Sequence, residues 1–478
     1  MEVVTRSAAG AASVEATQSV TQLVRRARAA QSEYARWPQE RVDEAALACG
    51  WAIMKPENNR ALAELAVRDT GLGSVADKIT KNHRKTLGLL RDIRGVRTVG
   101  VIAEYPERGI TEIARPVGVV AAITPSTNPG ATPANQIINA LKCGNAIILA
   151  PSPKGYSTCE ALLGFVRAEL AKVGAPADLV QMLPAPVTKD TTHELMRECD
   201  LVAATGSQSN IRAAYSSGKP AIGVGQGNVV SLVDTSADLA DAAEKIALSK
   251  TFDHATSCSS ENAVVILAPA YEGMLAQLTA QGGVMLDARE KARLQAFMFP
   301  GGKLGTAATA QSAPRIARLA GLERPAALAA RFLMVEETGT GPSCPFSGEK
   351  LAPVLAVYRA RDFDEAFART CQIYEYQGKG HSVSIHTRDE AQAMRLGLEM
   401  PVARVIVNQA HCIATGGNFD NGLPFSLSMG CGTWGGNSFS DNMHWRHFLN
   451  ITRIARVIPE KVPAEDEIFG AYHGKHGR

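Results

Sequence analysis

The run FDHATSCSSEN, Phe252 to Asn262, places Cys258 among small polar residues. A thiolate is a strong nucleophile towards a carbonyl carbon. Cys258 is therefore either a reactive thiol or, like most free cysteines, a small buried hydrophobe. Other stretches carry groups able to act beside it. TPSTNPG sets Asn128 before a proline, where its amide either points into a cleft or simply opens a turn. ATGSQSN puts Thr205, Gly206 and Ser207 between an apolar run and a helix. Backbone N–H groups converging there suit a phosphate or a carboxylate, and serve equally as an ordinary helix cap. GVGQGN, 223–228, lacks the spacing of a dinucleotide fingerprint and reads as a tight turn between strands. MGCGTWGGNS, 429–438, offers Cys431 as a rival nucleophile, in a glycine-rich setting suited to close backbone approach.

Such groups need rigid elements to hold them. From residue 117 short apolar runs follow one another: VGVVAAIT, NAIILA, DLVQML and CDLVAAT. Between them the spacing predicts helices over 131–142, 154–173 and 187–197. Strands buried on both faces and alternating with helices make a parallel sheet. Ligands bind at the carboxyl ends of such strands, where TPSTNPG, APSPKG and ATGSQSN fall. A second α/β alternation runs from 229 to about 410, with strands near VVSLVD, NAVVILA, PVLAVY, SVSIHT and ARVIVN. Residues 16–95 read as helical from their three- and four-residue apolar spacing. GVIAEYPERGITEIARP reads as a strand pair turning near Pro106–Gly109.

A chain of 478 residues predicts two or more domains. A net charge of +3 without a Lys/Arg stripe argues against a nucleic-acid partner. Nine scattered cysteines with no C-x-x-C pair fit reduced thiols and no metal site. The longest apolar runs are strand length, so no membrane span is expected. MEVVTRSAAGAASVEA has neither the apolar run of a secretory signal nor a clear amphipathic targeting face. The expected location is cytoplasmic, with microcompartment association left open.

Taken together and in order, TPSTNP, ATGS, PAIGVGQGN, FDHATSCSSENAVVI, EKLAPVLAVY and GCGTWGGNS resemble the aldehyde dehydrogenase superfamily, in its CoA-acylating branch. The resemblance spans about 17 to 455 and implies an α/β fold of two Rossmann-type domains plus a small β oligomerisation arm. It implies a cofactor-binding domain over 1–230 with an oligomerisation hairpin near 100–116, a catalytic domain over 231–440, and an oligomerisation arm and tail over 441–478. It makes Cys258 the nucleophile and Asn128 the oxyanion-holding amide. Gly206 and Ser207 would lie at the phosphates of NAD or NADP, Glu349 at the nicotinamide ribose and Lys154 near the adenine ribose. Thr124, Pro125, Ser152, Thr205, Gly225 and Pro353 complete the expected cofactor site.

One departure from the hydrolytic members is informative. Where they carry a water-activating glutamate, this chain has Val224, which cannot act as a base. The resemblance therefore implies that coenzyme A, rather than water, releases the acyl group as an acyl-CoA. The implied partners are a small aldehyde and coenzyme A, in a stand-alone homodimer or homotetramer. The favoured aldehyde is sulfoacetaldehyde; acetaldehyde, propionaldehyde and succinate semialdehyde are the alternatives. His254, His411 and Thr415 are the candidates for holding an anionic tail, or are satisfied structural donors. Rival readings are a hydrolytic aldehyde dehydrogenase and a non-catalytic subunit.

Overall fold

The computed structural model describes residues 2–478, with side chains from Gln18 onward. The expectation about a targeting face in the first fifteen residues concerns side chains outside those described. The strands in chain order are β1 (Gly100–Tyr105), β2 (Ile110–Pro116), β3 (Val119–Thr124), β4 (Ala146–Pro151), β5 (Val180–Met182), β6 (Leu201–Thr205) and β7 (Ala221–Val224). Beyond them come β8 (Val229–Val233), β9 (Glu261–Leu267), β10 (Gly283–Met285), β11 (Phe332–Glu336), β12 (Val354–Ala360), β13 (Val383–His386), β14 (Val405–Val407) and β15 (Leu449–Ala455).

They form three sheets. The first is parallel, in the order β5-β4-β3-β6-β7. Its first strand, VVAAIT, is buried at every position because helices cover both faces. Fully burying each valine or isoleucine there contributes about 1.5–3 kcal/mol. The second sheet is also parallel, in the order β10-β11-β12-β9-β8-β13-β14, with separate apolar clusters on its two faces. The two parallel sheets agree with the expected mixed α/β architecture. In the third, β1 and β2 form the expected antiparallel pair, and β15 adds to β2 along seven residue pairs.

The N-terminal region is helical: Glu2–Tyr34, Gln39–Met54, Pro56–Thr70 and Val75–Ile93. Ser74 caps the last of these, its side chain accepting from the Asp77 N–H. That helix carries Lys78, Lys81 and Lys85 inward, all buried. No helix among the described residues is long and apolar enough to cross a membrane.

Near the C-terminus His444 and His447 both reach Asp441, at 3.2 and 3.0 Å. Their ligand atoms lie within 4.8 Å of one another, a grouping unforeseen from the cysteine pattern.

Candidate active site

Strand order decides where the main cavity opens. In the five-stranded sheet the chain runs outward from β3 through β4 to β5, then returns to the other side of β3 with β6. The reversal leaves a crevice at the carboxyl ends of β3 and β6, the usual ligand position in such sheets. A cavity of about 540 Å³ lies there, lined by Thr124, Pro125, Asn128, Ser152, Thr205, Gly206, Ser207, Gly225, Cys258 and Glu349. Residues far apart in sequence thus meet at one place. The seven-stranded sheet contributes from its opposite end. Cys258, His381 and Gly227 precede β9, β13 and β8, three neighbouring strands, so they sit at the amino ends of those strands.

The crevice has the features of a nucleotide phosphate site. The helix Gln208–Tyr215 starts at the cavity with Ser207 as its N-cap, and its free N–H groups and dipole favour an anion. A Cβ on Gly206 would meet only Asn210 Nδ2, at 3.9 Å, leaving room beside the turn. A Cβ on Gly225 would instead stand 2.3 Å from Gln208 Nε2, so that side chain would have to swing aside to admit it. The buried Thr124 hydroxyl has no hydrogen-bond partner among the described residues. These groups fit a dinucleotide.

Cys258 Sγ is 3.4 Å from His381 Nε2, and His381 Nδ1 is 2.6 Å from Ser382 Oγ. Burial pushes the thiol up to about 12, and the neighbouring Glu349 adds to the rise. Burial and the Arg404 guanidinium hold the imidazole far below its ordinary value, so it is neutral in the physiological range. Burial pushes the Glu349 carboxyl up to about 8. Gly227 passes so close that a Cβ there would lie 2.3 Å from the Cys258 carbonyl oxygen. His381 lies in GKGHSVSI, where a lone histidine before a strand carries no sequence signal; only the β9-β8-β13 adjacency reveals it.

Asn128 is held from the Val75–Ile93 helix. Lys81 Nζ donates to Asn128 Oδ1 at 2.8 Å, to Asp253 Oδ2 at 2.5 Å and to Thr256 Oγ1 at 3.0 Å. An ammonium offers donors only, so it fixes the amide with its oxygen towards lysine and its N–H₂ turned away. Lys78 Nζ also reaches Asp253 Oδ2, at 3.1 Å. Asp253, His254 and Ala255 have φ of 49, 50 and 60°, left-handed values that side chains rarely adopt. The turn is pinned where Asp253 Oδ1 accepts the Ser74 N–H and the Asp253 N–H donates to Asp77. This turn leads directly into Cys258.

Five expected site residues stand elsewhere. Lys154 is exposed in the turn after β4, next to the cavity-lining Ser152 but outside the lining itself. Pro353 is buried behind the wall just before β12. His254 adjoins Asp253 in the left-handed turn without lining the cavity. His411 is buried with its Nδ1 against the Ser259 carbonyl at 2.8 Å, and burial brings its pKa down to about 3. It is therefore uncharged and unsuited to pair with an anion. Thr415 Oγ1 donates to the His411 carbonyl within its own helical turn. For His411 and Thr415 the reason is local: backbone carbonyls take up their donors. Cys431, the rival thiol, is buried and lies outside the lining.

A parallel-sheet crevice with phosphate-binding turns, a thiol beside a neutral histidine and an amide held ready define a cysteine-dependent dinucleotide enzyme. The chain belongs to the aldehyde dehydrogenase family, whose model matches residues 2–298. It is 65% identical to the sulfoacetaldehyde dehydrogenase (acylating) of Cupriavidus necator, over 97% of this chain and 94% of that protein. It is 40% identical to the corresponding acylating enzyme of Bilophila wadsworthia, over 96% and 100%. In three dimensions it is similar to an acetylating aldehyde dehydrogenase from Geobacillus thermoglucosidasius. There the TM-score is 0.90 at 35% identity, covering 95% of this chain and 99% of that one.

Proposed function

We propose that this protein is an acylating sulfoacetaldehyde dehydrogenase, converting sulfoacetaldehyde and coenzyme A to sulfoacetyl-CoA with NAD or NADP. The observation carrying the substrate is the 65% identity, sustained along nearly the whole chain, to an enzyme of that name. The acylating half is supported independently by Val224, a buried apolar side chain closing β7 where a water-activating carboxylate would stand.

His381 takes the Cys258 proton as sulfur attacks the aldehyde carbon, giving a thiohemiacetal. The Asn128 N–H₂ and the Cys258 backbone N–H hold the oxygen as its charge develops; a donor of this kind contributes about a hundredfold or more in rate. Ser152, Gly206, Ser207 and the start of the Gln208–Tyr215 helix would hold NAD or NADP, which would supply the hydride acceptor. The acyl group remains as a thioester on Cys258 until the coenzyme A thiol attacks it, releasing acyl-CoA and the free cysteine. In this reading the five-stranded sheet is the cofactor-binding unit, and the seven-stranded sheet carries the catalytic thiol.

The test follows reduced cofactor by absorbance with sulfoacetaldehyde, with and without coenzyme A. Sustained turnover with coenzyme A, at most a single-turnover burst without it, and loss of both in Cys258→Ala are the expected results. Sustained turnover without coenzyme A would return the enzyme to the hydrolytic branch.

The assembly is proposed to be a homodimer or homotetramer in the cytoplasm. Val457, Val462, Ile468, Phe469 and Tyr472 are exposed along the segment after β15, apolar area that a second copy would cover. Light scattering is expected to give at least twice the chain mass of 50.7 kDa; the monomer mass would overturn this assembly.

A further inference from the structure

Opposite the dinucleotide crevice the cavity is lined by Lys81, Arg84 and Lys85, three cations from one helix face. Their charges are unequally matched. Lys81 shares the Asp253 carboxylate with Lys78, at 2.5 and 3.1 Å. Lys85 is buried, and its ammonium donates only to main-chain carbonyls, those of Ile413, Gly416 and Gly417, at 2.8 to 3.3 Å. Arg84 donates through Nη2 to the Asn418 side-chain oxygen, while its Nε is buried without a partner. Its guanidinium stacks 5.0 Å from the Phe419 ring centroid. The nearby carboxylates are engaged elsewhere: Asp92 with Arg91 and the Phe425 N–H, Asp420 with Asn418.

We infer that Arg84, reinforced by the charge of Lys85, forms the anion subsite of the cavity and holds the sulfonate of the aldehyde substrate. The inference rests on the substrate reading above and assigns to that substrate the residues that recognise it. A buried charge is costly unless compensated; Lys85 is buried and Arg84 beside it is half-buried, and neither has a carboxylate partner among the described residues. A ligand that brings its own negative charge supplies the missing half. The planar guanidinium fork matches two oxygens of a sulfonate, a geometry that a lone ammonium cannot reproduce. Lys85, whose donors are already used, acts through its field. Burial draws its ammonium down to about 7, and a resident anion would restore its protonated form. The surrounding wall, with Ile413, Leu427 and Met429, is apolar and supplies no competing counter-charge.

The test compares wild type, Arg84→Met and Arg84→Lys in kcat/KM for sulfoacetaldehyde and for propionaldehyde, with ethanesulfonate as a non-reacting competitor. Melting temperatures of the three proteins establish that each is folded. In Arg84→Met the sulfoacetaldehyde-to-propionaldehyde ratio of kcat/KM should fall about 10- to 100-fold, the scale of a lost charge-assisted hydrogen bond. Ethanesulfonate inhibition should weaken in parallel, and Arg84→Lys should recover part of both effects. An unchanged ratio with undiminished ethanesulfonate inhibition overturns the assignment. A wild type that turns over propionaldehyde but not sulfoacetaldehyde sinks the substrate reading instead. In that event ethanesulfonate inhibition, and its dependence on Arg84, still decides whether an anion subsite exists.

Discussion

Replacing His381 with alanine is expected to lower kcat/KM at pH 7 by about 100- to 10,000-fold, the range spanned by a positioned general base. The argument starts from the thiol. Burial raises Cys258 to about 12. At pH 7 the free thiolate is then only about one part in 100,000, since each pH unit below the pKa costs tenfold. A cysteine so placed is unreactive unless its proton leaves as the sulfur attacks. The His381 Nε2 lies 3.4 Å from the sulfur. Burial and Arg404 keep it neutral through the physiological range, so its ring is not already protonated when the sulfur attacks. The variant should therefore acquire the pH dependence of the bare thiol. From pH 7 to 10 its rate should climb about tenfold per unit, because deprotonation of a group titrating near 12 rises by that factor below its pKa. Wild type should vary far less over the same interval. Pre-steady-state cofactor reduction isolates the acylation step; an unaltered burst rate with a flat profile would show that another group accepts the proton.

The fold was largely legible because its central strands are buried on both faces. VVAAIT, AIILAP, VVSLV and ENAVVIL are apolar runs that periodicity detects directly, and the helix predicted at 131–142 is observed as Ala131–Lys142. The strands left unread are β7, β10, β11 and β15. β7 and β10 are edge strands of four and three residues, β15 is an edge strand largely exposed, and β11 lies deep in a stretch dominated by helix and turn signals. The candidate site was legible where its residues sit on strand-end turns with distinctive types, as at Asn128, Gly206 and Cys258. It was illegible on the Val75–Ile93 helix. Lys78, Lys81 and Lys85 occupy the three- and four-residue spacing of a buried helix stripe, yet lysines in a helix are ordinarily solvated and so read as surface. The available signal was the stripe itself: cations where a core-facing helix would put leucines. Arg84 and His381 carried no comparable mark, because their significance depends on which strands and loops the topology makes neighbours.

Removing the carboxylate of Asp253 is expected to be the most destabilising single change in the site, costing about 3–5 kcal/mol, as when one partner of a buried ion pair is lost. Asp253 is completely buried, and its Oδ2 lies between Lys78 at 3.1 Å and Lys81 at 2.5 Å. Asp253→Ala leaves two buried ammonium groups without a counter-charge and frees a turn whose left-handed backbone the carboxylate holds down. Asp253→Asn, which preserves shape, separates these contributions: it should retain much of the turn and still lose the charge. The two lysines keep the carboxyl at about 2 against burial, which alone would raise it. Because the folded value lies below the ordinary carboxylate value near 3.9, its stabilisation is complete at neutral pH and is lost as pH falls from about 4 through 2. The difference in urea midpoint between wild type and Asp253→Asn should therefore be widest at neutral pH and close in acid. Lys81→Met then tests what the cluster does for chemistry. Asp253 still pairs with Lys78, so the fold loses less, but nothing fixes the Asn128 amide with its N–H₂ turned from the helix. A misoriented amide presents an oxygen to the developing oxyanion, and the acylation rate should fall about 100- to 1,000-fold, as when an oxyanion donor is deleted. Equal midpoints for wild type and Asp253→Asn at pH 7 would mean that the buried charge contributes nothing to stability, and an unchanged acylation rate in Lys81→Met would mean that the network does not orient the amide.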